Sequence, residues 1–86
     1  MVVPFTADIS LVGRGKRLYS WHLSQGTGAQ TVNFRRGSVS GEIVFQVQVP
    51  ATTSASQSYN EPLYCTEGWF VDVVGTGLAV GLVDIG

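Results

Sequence analysis

From Ile43 to Val49 the chain alternates with period two: Ile43, Phe45, Val47 and Val49 fall on one face, and Val44, Gln46 and Gln48 on the other. That spacing predicts a strand with one face in a core. Pro50 ends it, because proline has no N–H to donate to a sheet ladder. The same alternation sets Phe5, Ala7, Ile9 and Leu11 against Thr6, Asp8 and Ser10. It sets Val32 and Phe34 against Thr31, Asn33 and Arg35, and Trp69, Val71 and Val73 against Phe70, Asp72 and Val74. Residues 16–25 are harder to orient. One face would carry Arg17, Tyr19, Trp21 and Leu23, the other Leu18, Ser20, His22 and Ser24, and the aromatic face is expected to point inward.

Beyond the polar stretch 51–60, a loop or a weak edge strand, further strands are expected over 62–66, 68–74 and 77–85. Gly75-Thr76-Gly77 would join the last two as a hairpin. Gly81, inside the final strand, marks a bulge or a close approach by another backbone. Eleven glycines and three prolines punctuate the chain, and no stretch sustains a 3.6-residue period. The fold class that follows is all-β: a single-domain antiparallel β-sandwich or jelly-roll-like barrel of about seven or eight short strands. Residues 1–86 show no repeat and no domain boundary, with Met1 to Phe5 read as an N-terminal arm. Residues 43–49 are uncharged, proline-free and β-prone, so they are expected to be central or covered by a partner.

Charge then narrows the partners. Only 13% of residues are charged, against about 25% in ordinary globular domains. Ser, Thr, Gln, Asn and Gly take their place, a surface suited to close packing of copies. The net charge of −1 gives no global field towards nucleic acid or an anionic membrane. Residues 1–43 hold all five basic residues, Arg14, Lys16, Arg17, Arg35 and Arg36, with two acids, while residues 44–86 hold four acids and no base. If the two halves formed different faces, the molecule would carry a dipole able to set the register of neighbours.

Candidate chemistry is sparse. Catalysis needs titratable groups converging in a pocket, and one His, one Cys and six acids offer few combinations. A His22–Cys65 dyad is one; a packed thiol and a hydrogen-bonded structural histidine are the plainer reading. Two Cys and His residues in all fall short of a zinc site. Gly13-Arg14-Gly15-Lys16-Arg17 lacks the spacer and the Ser or Thr of a phosphate loop, and reads better as a basic turn. No cofactor motif is present. Arg14, Lys16 and Arg17 beside Tyr19 and Trp21, with Arg35 and Arg36, would suit phosphate contacts and base stacking. The acidic second half disfavours nucleic acid. An aromatic sugar platform on Trp21 or Trp69 is the alternative from another class, against core packing of the same rings. The N-terminus has neither the basic start nor the apolar run of a signal peptide, and no apolar span reaches bilayer length, so a soluble, cytoplasmically made product is expected.

Three segments, Arg17-Leu18-Tyr19-Ser20-Trp21-His22, Thr31-Val32-Asn33-Phe34-Arg35-Arg36-Gly37 and Gly68-Trp69-Phe70-Val71-Asp72-Val73-Val74-Gly75-Thr76-Gly77, resemble small all-β virion proteins of tailed bacteriophages. The resemblance covers strand-and-turn patterns over most of the chain and carries no active-site signature. It implies a non-enzymatic head decoration or cement protein of the virion, binding the major capsid protein or other virion proteins as a homo-oligomer, a trimer being one option. A tail or adaptor component is the variant, and a carbohydrate-binding module for host attachment the alternative. The expected contact residues are Arg14, Lys16, Arg17, Arg35, Arg36, Trp21 and Trp69. Reversing Arg35 and Arg36 to Glu would, as exposed charges, disturb association far more than folding.

Overall fold

The computed structural model describes residues 1–25, 28–75 and 78–86. Eight strands follow in order: β1 (Val2–Phe5), β2 (Ile9–Ser10), β3 (Arg17–Gln25), β4 (Gln30–Arg36), β5 (Ile43–Val49), β6 (Ser54–Tyr64), β7 (Trp69–Val74) and β8 (Leu78–Ile85). They form two four-stranded antiparallel sheets, ordered β1-β8-β3-β6 and β2-β7-β4-β5. The pairs β1 with β8, β2 with β7, β3 with β6 and β4 with β5 are those of one long hairpin, its tip at residues 37–42. Folding that hairpin over so that β8 also meets β3, and β7 also meets β4, gives the jelly-roll order of a β-sandwich.

Each sheet can turn one face inward because its strands alternate. Val32 and Phe34 of β4, Val71 and Trp69 of β7, and Val83 and Ile85 of β8 are buried, as period two requires. Phe34 sits at the centre, its ring stacked on Phe45 at 4.4 Å, edge-on to Trp69 at 6.4 Å and tilted against Trp21 at 6.2 Å. β5 has the bounds that its alternation predicted, but a register shift against β4 sets Ile43 opposite the outward-facing Arg35, so Ile43 leaves the face that it was expected to share with Phe45, Val47 and Val49. Gly81 is a close approach: a Cβ there would stand 2.7 Å from the Phe5 ring and 2.8 Å from the Phe5 carbonyl oxygen.

Three further expectations are corrected, and of the two readings of residues 51–60 the edge strand holds. In β3 the register slips between Leu18 and Ser20 against both neighbours, so Leu18 joins Trp21 and Leu23 inside while Arg17 and Tyr19 turn out. A bulge of this kind defeats alternation, since one extra residue moves the rest to the other face. The stretch 51–60 runs into an eleven-residue edge strand, β6. β7 and β8 lie in different sheets, so no hairpin joins them; Thr76 and Gly77 of that expected turn are outside the described residues. Met1 to Phe5 is no free arm: β1 pairs with β8 and buries Val3 and Phe5.

Candidate interaction surface

Consecutive antiparallel strands alternate their connections between the two ends of the sandwich, and the charge follows that alternation. The connections 11–16, 37–42 and 65–68 share one end with Gly86, and backbone bonds bind them together. Leu11 N–H donates to Trp69 O at 2.9 Å, Gly37 N–H to Gly68 O at 3.0 Å, and Cys65 N–H to Lys16 O at 2.9 Å. Lys16 and Arg17 N–H both donate to Gly86 O, at 3.0 and 2.9 Å. Gly15 allows this, because a Cβ there would lie 2.6 Å from the Gly86 carbonyl and its φ of +149° is one that side chains avoid. All five basic residues stand at or beside this end. Among the described residues, the connections of the opposite end hold one charged residue, Asp8, whose carboxylate accepts the Val73 N–H at 2.7 Å.

The five cations have different surroundings. Arg14 and Lys16 on the braced connection and Arg17 at the start of β3 are exposed, and among the described residues none has an ion pair. Arg17 lies over the exposed Tyr64 ring, 5.3 Å from its centroid. Arg36 meets Glu67 at 3.5 Å and Glu42 at 3.7 Å, all three well exposed. Arg35 is instead built into the outer face of its sheet. Its Nε donates to Asp72 at 3.0 Å and its Nη1 to Gly41 O at 2.9 Å, while Asn33 donates to the same Asp72 oxygen and accepts from Gln46. Its side chain is 21% exposed, so Arg35 is a structural residue and R35E would disturb the fold.

Trp21 and Trp69 do not belong to a surface. Trp69 is 1% exposed and donates Nε1–H to Lys16 O; Trp21 is 9% exposed and donates to the Tyr59 hydroxyl. The large rings fill the sandwich and each N–H finds a partner inside it, as buried indoles require. The expected dipole between chain halves is also absent. Strands from residues 1–36 alternate with strands from 43–85 in both sheets, so no face belongs to one half and both signs of charge meet at one end.

Sequence reasoning missed Tyr64, Glu42 and Glu67 as members of this end. Only the topology brings 65–68 beside 37–42, and no spacing in the sequence signals it. Glu67 titrates below its ordinary 4.5. The hydrogen bond from Thr66, at 2.6 Å, is the main cause; desolvation opposes it, and Cys65 and Arg36 add to the lowering. A depressed carboxylate favours the folded state above its ordinary range, and that contribution is lost as pH falls through the folded value. The Glu67 carboxyl is therefore expected to show an NMR titration midpoint below 4.5, with Thr66→Val moving it upward. A midpoint that ignores Thr66→Val would remove Thr66 as the cause.

His22 and Cys65 are not paired: His22 Nε2 lies 3.2 Å from Ser24 Oγ, and the buried thiol neighbours Arg36 and Glu67. Between β1 and β8 a depression of about 360 Å³ is lined by Pro4, Phe5, Thr6, Ala79, Val80 and Gly81, none of them titratable. Such a lining can hold an apolar group but offers no acid or base. No family model, curated protein or solved structure matches this chain. The surface offers its own chemistry: a braced end with three cations that pair with no carboxylate among the described residues, one of them stacked on Tyr64, and an exposed Arg–Glu cluster.

Proposed function

We propose that this chain is a non-enzymatic structural protein of a bacteriophage particle, a capsid decoration protein that docks end-on through the braced end of its sandwich. The observation that carries the proposal is the placement of Arg14, Lys16 and Arg17 along the connection into β3 and its first residue, held by bonds to Leu11, Cys65, Trp69 and Gly86. A braced backbone has no loop left to order on docking, so only the side chains' own rotamer freedom opposes recognition of an acidic patch on the capsid lattice by these charges. The resemblance to small all-β virion proteins supports the same reading, as does a low overall charge concentrated at one end. A tail protein with an acidic face would meet the same chemistry. The sugar-binding alternative loses the two indoles on which it rested, because both are in the core.

The test is cosedimentation with capsids that lack the protein. R14E/K16E/R17E is expected to weaken binding at least tenfold while shifting the melting temperature by only a few degrees, since exposed charges away from special features change stability by about 0.5 kcal/mol or less. Raising salt should weaken the unmodified protein in the same direction. Undiminished occupancy by the triple variant would exclude this end as the attachment surface.

A further inference from the structure

Four strand edges are open in this sandwich, and three carry features that obstruct pairing with another chain. β2 has two residues, and β1 has four with Pro4 among them. β6 contains Glu61 and Pro62, and its pairing with β3 jumps from Leu63 to Ser58 across a register break. Short edges, proline, charge and bulges are the devices by which sheets avoid unwanted addition of strands. β5 is not short, and its one irregularity is confined to its start. Its seven residues carry no charge, proline or glycine, and its register with β4 runs unbroken from Gln30↔Val49 to Phe34↔Phe45 before a shift that sets Ile43 opposite Arg35.

The core is also unfinished along this edge. Ile43 remains 40% exposed and Val44 37%, while Phe45 and Val47, on the inner face, are only half-buried. Phe45 nonetheless stacks on the fully buried Phe34, so the edge is continuous with the centre of the sandwich. Residues 43–49, expected to be central or covered, are not central.

We propose that β5 pairs antiparallel with β5 of a second copy, across a two-fold axis, joining two β2-β7-β4-β5 sheets into one of twice the width. A two-fold contact requires a surface complementary to itself, with residue i facing j and j facing i. The register centred on Gln46 places Gln46 opposite Gln46, Phe45 opposite Val47 and Val44 opposite Gln48. The half-buried inner residues Phe45 and Val47 then meet each other across the axis, and the residues that meet on the outer face are uncharged. No like charges are brought together, the circumstance that makes self-pairing costly in other strands. Gln46 is held in place at the axis by its bond to Asn33 Oδ1 at 2.8 Å. A second copy supplies an edge of identical length and pattern, which a strand with any charge at these positions would not. The contact holds whether or not the chain decorates a capsid, and it yields dimers rather than trimers.

Sedimentation velocity of the full chain, from micromolar to near-millimolar concentration, should show conversion from 9.2 kDa to twice that mass. Q46K sets like charges at the axis and should weaken the dimer at least tenfold; Q46E should do the same. An equimolar mixture of Q46K and Q46E should recover it, which loss of folding in either variant would not allow. Independently of any variant, amide exchange in residues 43–49 of the unmodified chain should slow as concentration rises. A monomer at every concentration, a trimer, a Q46K dimer of undiminished affinity, or protection of β5 that appears only on adding capsid protein would each overturn the proposal.

Discussion

Phe34→Ala should leave the protein at the margin of folding. Phe34 is fully buried and is the ring that Trp21, Phe45 and Trp69 all contact. Removing a buried phenylalanine costs about 3–5 kcal/mol, because the transfer term is lost and a cavity remains. At roughly 0.05–0.15 kcal/mol per residue, a chain of this length has about 4–13 kcal/mol in total. The loss is thus a large part of the whole. The cavity opens between two sheets, where neither can close on the other without breaking its own ladder, so relaxation is limited. Urea unfolding read by tryptophan fluorescence is the measurement, since both indoles report on the same cluster. A loss under 1 kcal/mol would mean that the two sheets are not held together through this ring.

Gly81→Val should detach a strand. Gly81 pairs with Phe5 on one side and Leu23 on the other, and the space for its Cβ is filled by the Phe5 ring and carbonyl oxygen. A ring can rotate away, but the carbonyl is part of the ladder that holds β1 to β8. The expected outcome is separation of β1, exposing Val3 and Phe5, with a loss of about 3 kcal/mol or more from overpacking and lost apolar burial. Amide exchange should show the effect first in residues 2–5. Equal loss of protection across both sheets, with β1 no worse than β4, would contradict a local cause.

The alternating strands were legible because they lie against a core on one side only. β4, β7 and β5 from Phe45 onward present Val, Phe or Trp to the inside and mostly Asn, Gln, Asp or Arg to the outside, so period two reports their orientation directly. β6 was obscure for the opposite reason. Ser54, Ser56, Gln57, Ser58 and Asn60 are exposed at an edge, and little burial selects for apolar residues there. β3 misled because one register shift at Tyr19 inverts the parity of everything before it. The indoles stood both as inward-facing strand residues and as contact anchors, because composition cannot tell an interface ring from a core ring; the core reading holds, since a chain of this size needs its largest rings inside.

The contact surface was half legible. Arg14, Lys16 and Arg17 are close in sequence and remain together, whereas Arg35 and Arg36 are adjacent in sequence and separate in role. Successive residues of a strand point to opposite faces, so one became part of the outer face of the sheet and the other reached the loop cluster. Nothing local distinguishes them. Asp72, which takes Arg35 out of play, is 37 residues away.

The pairing of β1 with β8 has a consequence for biosynthesis. Of these eight strands the first made has the last as its sheet neighbour, so its sheet is incomplete until about residue 85 has been added, and the second sheet until β7 has been made. At roughly 5–20 residues per second, that leaves the early strands waiting for about 4–16 s. Val3 and Phe5 spend that interval exposed to water, and Ile43 to Val49 spends part of it as an unpaired β-prone segment. Chaperones that bind extended apolar peptides would find their targets there, and crowded ribosomes on one message would bring such segments from neighbouring chains together before either could fold.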